Sequence, residues 1–207
     1  MNIFKTEQEE FWSGNFGDDY IDRNKDIDMV KCNITLFSQI IKSTLDIKSV
    51  IEFGSNIGLN LLAIRSLLAG IELSAIEINT KAVKELRKIP NLKIYDRSLL
   101  DFVPDYQRDF VFTKCVLIHI NPDMLNKVYA LLYQTSKKYI CIAEYYNPTP
   151  VEVIYRGHRN KLFKRDFSGE ILDKFKDLKL IDYGFAYHRD DKYNLLDDIN
   201  WFLMEKS

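Results

Sequence analysis

The run Glu52-Phe53-Gly54-Ser55-Asn56-Ile57-Gly58 closes a short apolar, β-branched segment, and Glu77 closes the next one. A glycine loop at a strand end lets the backbone turn tightly and approach a ligand. An acidic residue about 20 residues later is placed to bond the hydroxyls of a ribose. The pair describes a nucleoside-binding turn, with Glu52, Gly54, Ser55, Asn56 and Gly58 under the ligand and Glu77 and Ile78 beside its sugar. A dinucleotide fingerprint requires glycine at 54, 56 and 59, but 56 is Asn and 59 is Leu. The second of those glycines makes room for a pyrophosphate. S-adenosylmethionine (SAM) has no pyrophosphate, so the loop counts against NAD and suits SAM.

Other reactive side chains cluster further along. His119 follows the apolar run Phe110–Thr113, and an imidazole with an ordinary pKa near 6.5 suits proton removal from a hydroxyl. Glu144 and His158 are the alternative bases. Glu144-Tyr145-Tyr146-Asn147 ends the apolar run Tyr139–Ala143 with polarity that packing alone does not require. Tyr155 to Arg165 then holds Arg156, His158, Arg159, Lys161, Lys164 and Arg165. That stretch reads either as a solvated charged face or as an anion pocket, since guanidinium matches carboxylate and phosphate with parallel bonds.

Positioning these groups requires a sheet. From Ser49 the chain alternates short β-branched runs with helical periodicity: strands at Ser49–Phe53, Leu73–Ile76, Leu92–Tyr95, Phe110–Thr113 and Tyr139–Ala143, helices at Leu59–Leu68, Thr80–Lys88 and Pro122–Thr135. That order implies right-handed βαβ units and a parallel sheet. Arg165–Phe175 reads as a helix. Leu180–Tyr187 and Asn200–Glu205 read as two strands without a helix between them, hence antiparallel. Upstream, Asp26 to Leu45 spaces apolar residues as an amphipathic helix. Thr6 to Glu9 is either a capping box for a first short helix or a frayed polar start.

The whole chain bounds these readings. Its 207 residues, 46% hydrophobic, suit one domain with a sizeable core. Net charge is -1, with 29 basic and 30 acidic residues, giving no general drive toward nucleic acid or membrane. The three cysteines, Cys32, Cys115 and Cys141, form no C-x-x-C pair, and the three histidines show no metal-ligand spacing. No metal is expected. No apolar run nears the ~20 residues that span a bilayer, and the polar start is unlike a signal peptide. A soluble cytoplasmic protein is expected, its oligomeric state open.

Four longer strings make the sequence similar to a known family. They are Phe11-Trp12-Ser13-Gly14-Asn15-Phe16-Gly17-Asp18-Asp19-Tyr20-Ile21-Asp22-Arg23-Asn24, Phe112 through Pro122, Glu144-Tyr145-Tyr146-Asn147-Pro148-Thr149-Pro150, and Tyr155-Arg156-Gly157-His158 continuing to Lys164-Arg165-Asp166-Phe167. With the glycine loop they resemble the pseudaminic acid biosynthesis-associated methylases, SAM-dependent enzymes of bacterial surface-sugar pathways. The resemblance implies the class I methyltransferase fold: a seven-stranded, mostly parallel Rossmann-like sheet with helices on both faces, a C-terminal antiparallel strand pair and an N-terminal helical lid. It divides a single domain of residues 1–207 into a lid over 1–46 and a core over 47–207, with a substrate insert near 145–165. It implies that Asp96, Ser98 and Leu99 hold the adenine, and that Lys114 and Cys115 lie beside the methionine. It also implies that Arg23 pairs with the methionine carboxylate and that Tyr20 or Trp12 packs near the sulfonium, whose charge aromatic faces attract. The acceptor it implies is an acidic sugar or nucleotide-sugar held by Tyr145, Tyr146, Asn147, Tyr155, Arg156, His158, Lys164 and Arg165, with S-adenosylhomocysteine (SAH) as by-product. A SAM-binding module without catalysis, or a methyltransferase for another small metabolite, are the competing readings. A nucleic-acid methyltransferase is disfavoured, because Thr113-Lys114-Cys115-Val116 stands where amino-methylating enzymes of that kind carry Asn/Asp-Pro-Pro-Tyr.

Overall fold

Strand side chains alternate between two apolar layers, and that alternation fixes the architecture. The computed structural model describes residues 4–207. Its main sheet contains β1 (Ser49–Phe53), β2 (Glu72–Glu77), β3 (Leu92–Asp96), β4 (Arg108–Lys114), β5 (Ser136–Glu144), β8 (Leu178–Ala186) and β9 (Ile199–Lys206). A separate hairpin pairs β6 (Val151–Tyr155) with β7 (His158–Lys164). The helices are α1 (Glu7–Ser13), α2 (Asn15–Arg23), α3 (Met29–Ile41), α4 (Leu59–Leu67), α5 (Thr80–Leu86), α6 (Leu125–Thr135) and α7 (Phe167–Lys174).

Val50, Phe110, Phe112, Cys141 and Ala143 join one buried cluster, closed by Leu36, Phe37 and Ile40 of α3 and by Leu61 and Ile64 of α4. Their neighbours Ile51, Val111, Ile140 and Ile142 join the other, closed by Val128 and Leu132 of α6 and Ile171 of α7. Both faces of the parallel strands are therefore covered, which is why these strands read as continuous apolar runs.

The strand order is β3-β2-β1-β4-β5-β9-β8. β1 to β5 run parallel, and β9 is antiparallel to both β5 and β8. The order reverses between β1 and β4, and in such sheets ligands bind beyond the carboxyl ends at that reversal. The ends of β1, β2, β4 and β5 bring Phe53, Glu77, Lys114 and Glu144 to that edge. Among the described residues no helix is long and apolar enough to cross a membrane.

Several expected boundaries shift for local reasons. The helix expected from Asp26 to Leu45 spans only Met29–Ile41. The one expected from Pro122 begins as a 3-10 turn over Pro122–Met124, because the Asn121 side chain accepts from the Asp123 N–H, and α6 follows. The helix expected from Arg165 starts at Phe167, since the Asp166 carboxylate caps Gly169 N–H at 2.8 Å. The hairpin of residues 151–164 has no counterpart in the sequence reading. At the amino end the capping box is present, with Thr6 and Glu9 bonding each other's backbone amides.

Two contacts tie this amino end to the hairpin. Gln8 Nε2 donates to the Asn160 carbonyl at 2.9 Å, and Lys161 Nζ lies 3.1 Å from Glu7. The rings of Phe11 and Phe16 pack against His158 at 5.0 and 5.5 Å.

Candidate active site

The β1–α4 loop folds through two left-handed glycines. Gly54 has φ +77°, and a Cβ there would stand 2.7 Å from Val116 Cγ2; Gly58 has φ +83°, and its Cβ would meet Ile89 and Leu86. A side chain at either position would separate the loop from its neighbours. Asn56, between them, is also left-handed (φ +46°), a conformation asparagine tolerates.

Glu77 organises this loop. Its carboxylate accepts from the backbone N–H of Asn56 at 2.7 Å, Ile78 at 2.9 Å and Asn79 at 2.8 Å. Burial raises its pKa, and the three amides pull against that rise. Behind the loop, Glu52 is fully buried and accepts from Asn60 Nδ2 at 2.6 Å. Burial pushes its carboxyl up to about 8, with Asn60 and Lys114 acting against the shift.

Glu144 does the same for the β4 edge. Its oxygens accept from the N–H of Val116 and Leu117 at 3.0 Å each and of Ile118 at 3.4 Å. It is 2% exposed, and burial lifts its pKa to about 7. It thereby fixes the segment carrying Cys115, which is left-handed at φ +56°, and His119. His119 Nδ1 lies 2.6 Å from the Lys161 carbonyl. A carbonyl only accepts, so the ring proton sits on Nδ1 and Nε2 is left as an acceptor. Burial pushes the imidazole down to about 4.

These loops surround a cavity of about 410 Å³, within the range that holds small ligands. Of the expected cofactor residues, Tyr20, Gly54, Ser55, Asn56, Glu77, Ile78, Ser98, Leu99, Lys114 and Cys115 line it, as does His119. Four do not reach the wall. Glu52 lies beneath it, and Gly58 caps α4. Asp96 turns away to pair with Arg87 at 3.0 Å, and the Arg23 guanidinium lies over the Phe16 ring.

The expected substrate residues also stand off the wall. Glu144 is spent on backbone amides. Tyr145 donates to Asp197 at 2.5 Å, and Tyr155 packs 5.0 Å from His119, so these two touch lining residues without lining. Tyr146 packs on Phe202, and Asn147 donates to the Thr149 carbonyl. Lys164 lies over the Tyr145 ring, and Arg165 pairs with Glu170 at 3.3 Å. Arg156 is in the exposed hairpin turn, and His158 packs on the outer aromatic group. These residues sit at and beside the hairpin turn, where Arg156, His158 and Arg159 are exposed, while Leu162 packs into the core.

The structure adds wall residues that the sequence reading passed over: Gln8, Glu9, Asn33, Asn60, Asn79 and Asn194 to Asp197. Asn33 had a usable signal, being polar on the apolar stripe of α3 and only 1% exposed. Glu9 of α1 joins the amino end to the β3 loop by accepting from Ser98 Oγ. Buried polar atoms without a protein partner gather here: Gln8 Oε1, Asn33 Oδ1, Asn60 Oδ1, Glu52 Oε2 and Trp12 Nε1. Three of the five, the amide oxygens of Gln8, Asn33 and Asn60, are acceptors only, while the Glu52 carboxyl, pushed up to about 8, keeps its proton at neutral pH. Such groups cost about 1–3 kcal/mol each when left unmade, so the site suits a ligand rich in donors. Among the described residues no group of three or more His, Cys, Asp and Glu is placed to hold a metal ion.

Two of the three raised carboxyls, Glu52 and Glu144, give stability a defined pH dependence. In an unfolded chain Glu titrates near 4.3 and His near 6.5. Between about pH 6.5 and 8 the folded protein keeps protons on Glu52 and Glu144 that the unfolded chain has released, so stability falls as pH rises. His119, held neutral in the fold, pulls the other way only below about 6.5. Calorimetric melting should show Tm declining from pH 6.5 to 8, and Glu52→Gln should flatten the decline. A Tm that climbs over this range contradicts the assignment.

No family model matches the sequence, and no curated protein matches it. Solved structures do. The Burkholderia thailandensis 1,6-didemethyltoxoflavin-N1-methyltransferase, solved with 1,6-didemethyltoxoflavin and SAH, superposes with a TM-score of 0.73 at 11% identity, covering 100% of this chain and 93% of that one. The magnesium protoporphyrin IX methyltransferase of Synechocystis PCC 6803, solved with SAM, gives 0.65 at 12% identity, with 100% of both chains covered. The glycopeptide N-methyltransferase MtfA with SAH gives 0.64 at 12% identity, covering 86% of this chain and 90% of that one. The fold of this chain is that of the class I SAM-dependent methyltransferases.

Proposed function

We propose that this protein is a SAM-dependent methyltransferase acting on a small molecule, a single domain in which α1 and α2 form a lid over the cofactor. The observation that carries the reading is the buried acceptor set around the glycine loop. SAM is a cation rich in donors, and the residues present fit it. Glu77 would take the ribose hydroxyls. The free oxygens of Asn33 and Asn60, backed by Glu52, would take the α-ammonium, and Gln8 and the Ser98–Leu99 turn would face the adenine. When bound, SAM supplies an electrophilic methyl on a positively charged sulfur.

The chain's own part is alignment and proton handling. The Cys115–His119 segment, pinned by Glu144, presents His119 to the cavity. Its Nε2 is positioned to receive the proton of a hydroxyl acceptor, while the Lys161 carbonyl holds Nδ1–H and so sets the tautomer. With the imidazole near 4, the basic form dominates at neutral pH, and activity should decline only as pH falls toward about 4. Calorimetry should show SAM binding. His119→Ala should lower kcat about 10²–10⁴-fold, the usual range for a general base, while SAM affinity stays within a few-fold. Unchanged kcat would remove His119 from the mechanism.

For the acceptor we infer an acidic sugar of the nonulosonic type in a cytoplasmic bacterial glycan pathway. This finer reading is supported by the four sequence strings and by the basic hairpin, whose Lys161 carbonyl and Tyr155 ring contact the wall residue His119. Labelled SAM incubated with nonulosonic acids and their activated forms tests it. One added methyl on such a sugar supports it, and label in nucleic acid or protein alone sinks it.

A further inference from the structure

The Lys161 carbonyl that holds His119 lies where its own hairpin does not hold it. β6 pairs with β7 from Val151 opposite Lys164 to Val153 opposite Leu162, and pairing resumes only at Tyr155 opposite His158. Between these points Ile154 faces Arg159, Asn160 and Lys161, three residues against one, and none of the four has a partner in that register. Bulged residues of this kind leave the ladder and bend the strand. Asn160 is left-handed there, at φ +57°. Two carbonyls of the bulge are bonded from outside the hairpin instead. Gln8 Nε2 of α1 donates to the Asn160 carbonyl at 2.9 Å, and the next carbonyl, that of Lys161, meets His119 Nδ1 at 2.6 Å. α1 reaches the same place by two further contacts: the Trp12 ring lies 4.5 Å from the His119 ring, and Glu7 lies 3.1 Å from Lys161 Nζ. Glu7 is half-exposed, and such an ion pair contributes little. Gln8 is only 3% exposed, so water does not readily replace its bond.

We propose that Gln8 is a positioning residue for the base. By holding the Asn160 carbonyl it fixes the adjoining peptide, whose Lys161 carbonyl keeps the His119 proton on Nδ1 and leaves Nε2 as the acceptor. α1 stands in for the missing rungs of the hairpin. The inference rests on the methyl-transfer reading and deepens it, since it gives the base of that site a support 111 positions away in the chain. Gln8 acts on His119 through the backbone of residues 160 and 161, not by contact with the imidazole. The same helix also reaches the cofactor side: Glu9 accepts from Ser98 Oγ, and the Trp12 carbonyl accepts from Asn79 Nδ2 at 3.1 Å. The base and the cofactor loops therefore lean on one short element.

The Nδ1 proton of His119 supplies the test. It is read by NMR in cofactor-free ¹⁵N-labelled protein and assigned with His119→Gln. Wild type should show the proton on Nδ1, protected from solvent. Gln8→Met keeps the length of the side chain and removes the donor. It should speed exchange of that proton about tenfold, the worth of one hydrogen bond, while the amides of the sheet strands keep their rates. Glu7→Ala removes only the half-exposed ion pair and should change the rate by no more than about twofold. A proton on Nε2 in wild type overturns the proposal, and so does a Gln8→Met rate equal to wild type. It falls equally if the sheet amides accelerate with the imidazole, which would make Gln8 a residue of general stability, or if Glu7→Ala matches Gln8→Met, which would credit the docking of α1 at large. A lack of SAH binding by calorimetry would instead mark failure of the methyl-transfer reading, and the exchange result would stand.

Discussion

Glu77→Ala should weaken SAM binding by roughly a hundredfold, about 3 kcal/mol, since hydrogen bonds to a charged group are worth about 1.5–3 kcal/mol each. The carboxylate would serve the ribose hydroxyls, and it also gathers the amides of Asn56, Ile78 and Asn79. Its removal therefore costs the ligand contact and loosens the loop beneath the ligand. Glu77→Gln keeps the shape and one acceptor, and should recover part of the loss. Titration calorimetry with SAM reads both variants, and an affinity for Glu77→Ala equal to wild type would refute the cofactor site.

Glu144→Ala should be the most destabilising of the substitutions considered. It leaves the N–H groups of Val116, Leu117 and Ile118 buried without their acceptor, at about 1–3 kcal/mol per unmade bond before any water enters. A loss of at least about 3 kcal/mol follows. Because those amides belong to the segment between Cys115 and His119, kcat should fall even where the variant remains folded. Glu144→Gln retains an acceptor oxygen and should restore most of the stability. Urea unfolding separates the cases, and a Glu144→Ala midpoint within error of wild type would show that the three amides find other partners.

Much of the fold was legible because each strand carries its own signal. Ser49–Phe53 was read to the residue, since Val50, Ile51 and Phe53 make an apolar, β-branched run that meets a glycine. The loop was readable because its left-handed turns at 54 and 58 favour glycine, and Glu77 because an acid closing an apolar strand stands out. The hairpin of residues 151–164 was not, because its alternation is interrupted by charge and its register shifts between Val153 and Tyr155. The basic residues clustered in sequence lie at and beside the hairpin turn, where Arg156, His158 and Arg159 are exposed and none of the three lines the cavity. Glu144 was singled out correctly as unusual for a strand end, yet its partners are amides 26 to 28 residues upstream, a distance no local pattern encodes. Gln8, Asn60 and Asp197 reach the cavity only through tertiary placement.

The strand order also sets the timetable of assembly. β9 is inserted between β5 and β8, with Ile199, Trp201, Leu203 and Met204 buried, so a chain emerging from the ribosome holds an incomplete sheet until residues 199–206 appear. Until then the edge of β5 is open to pairing with other chains, and the contact that closes it spans about 60 positions, a separation that slows folding. Nascent chains stalled before residue 199 should therefore engage chaperones and aggregate, while chains released after residue 206 should not.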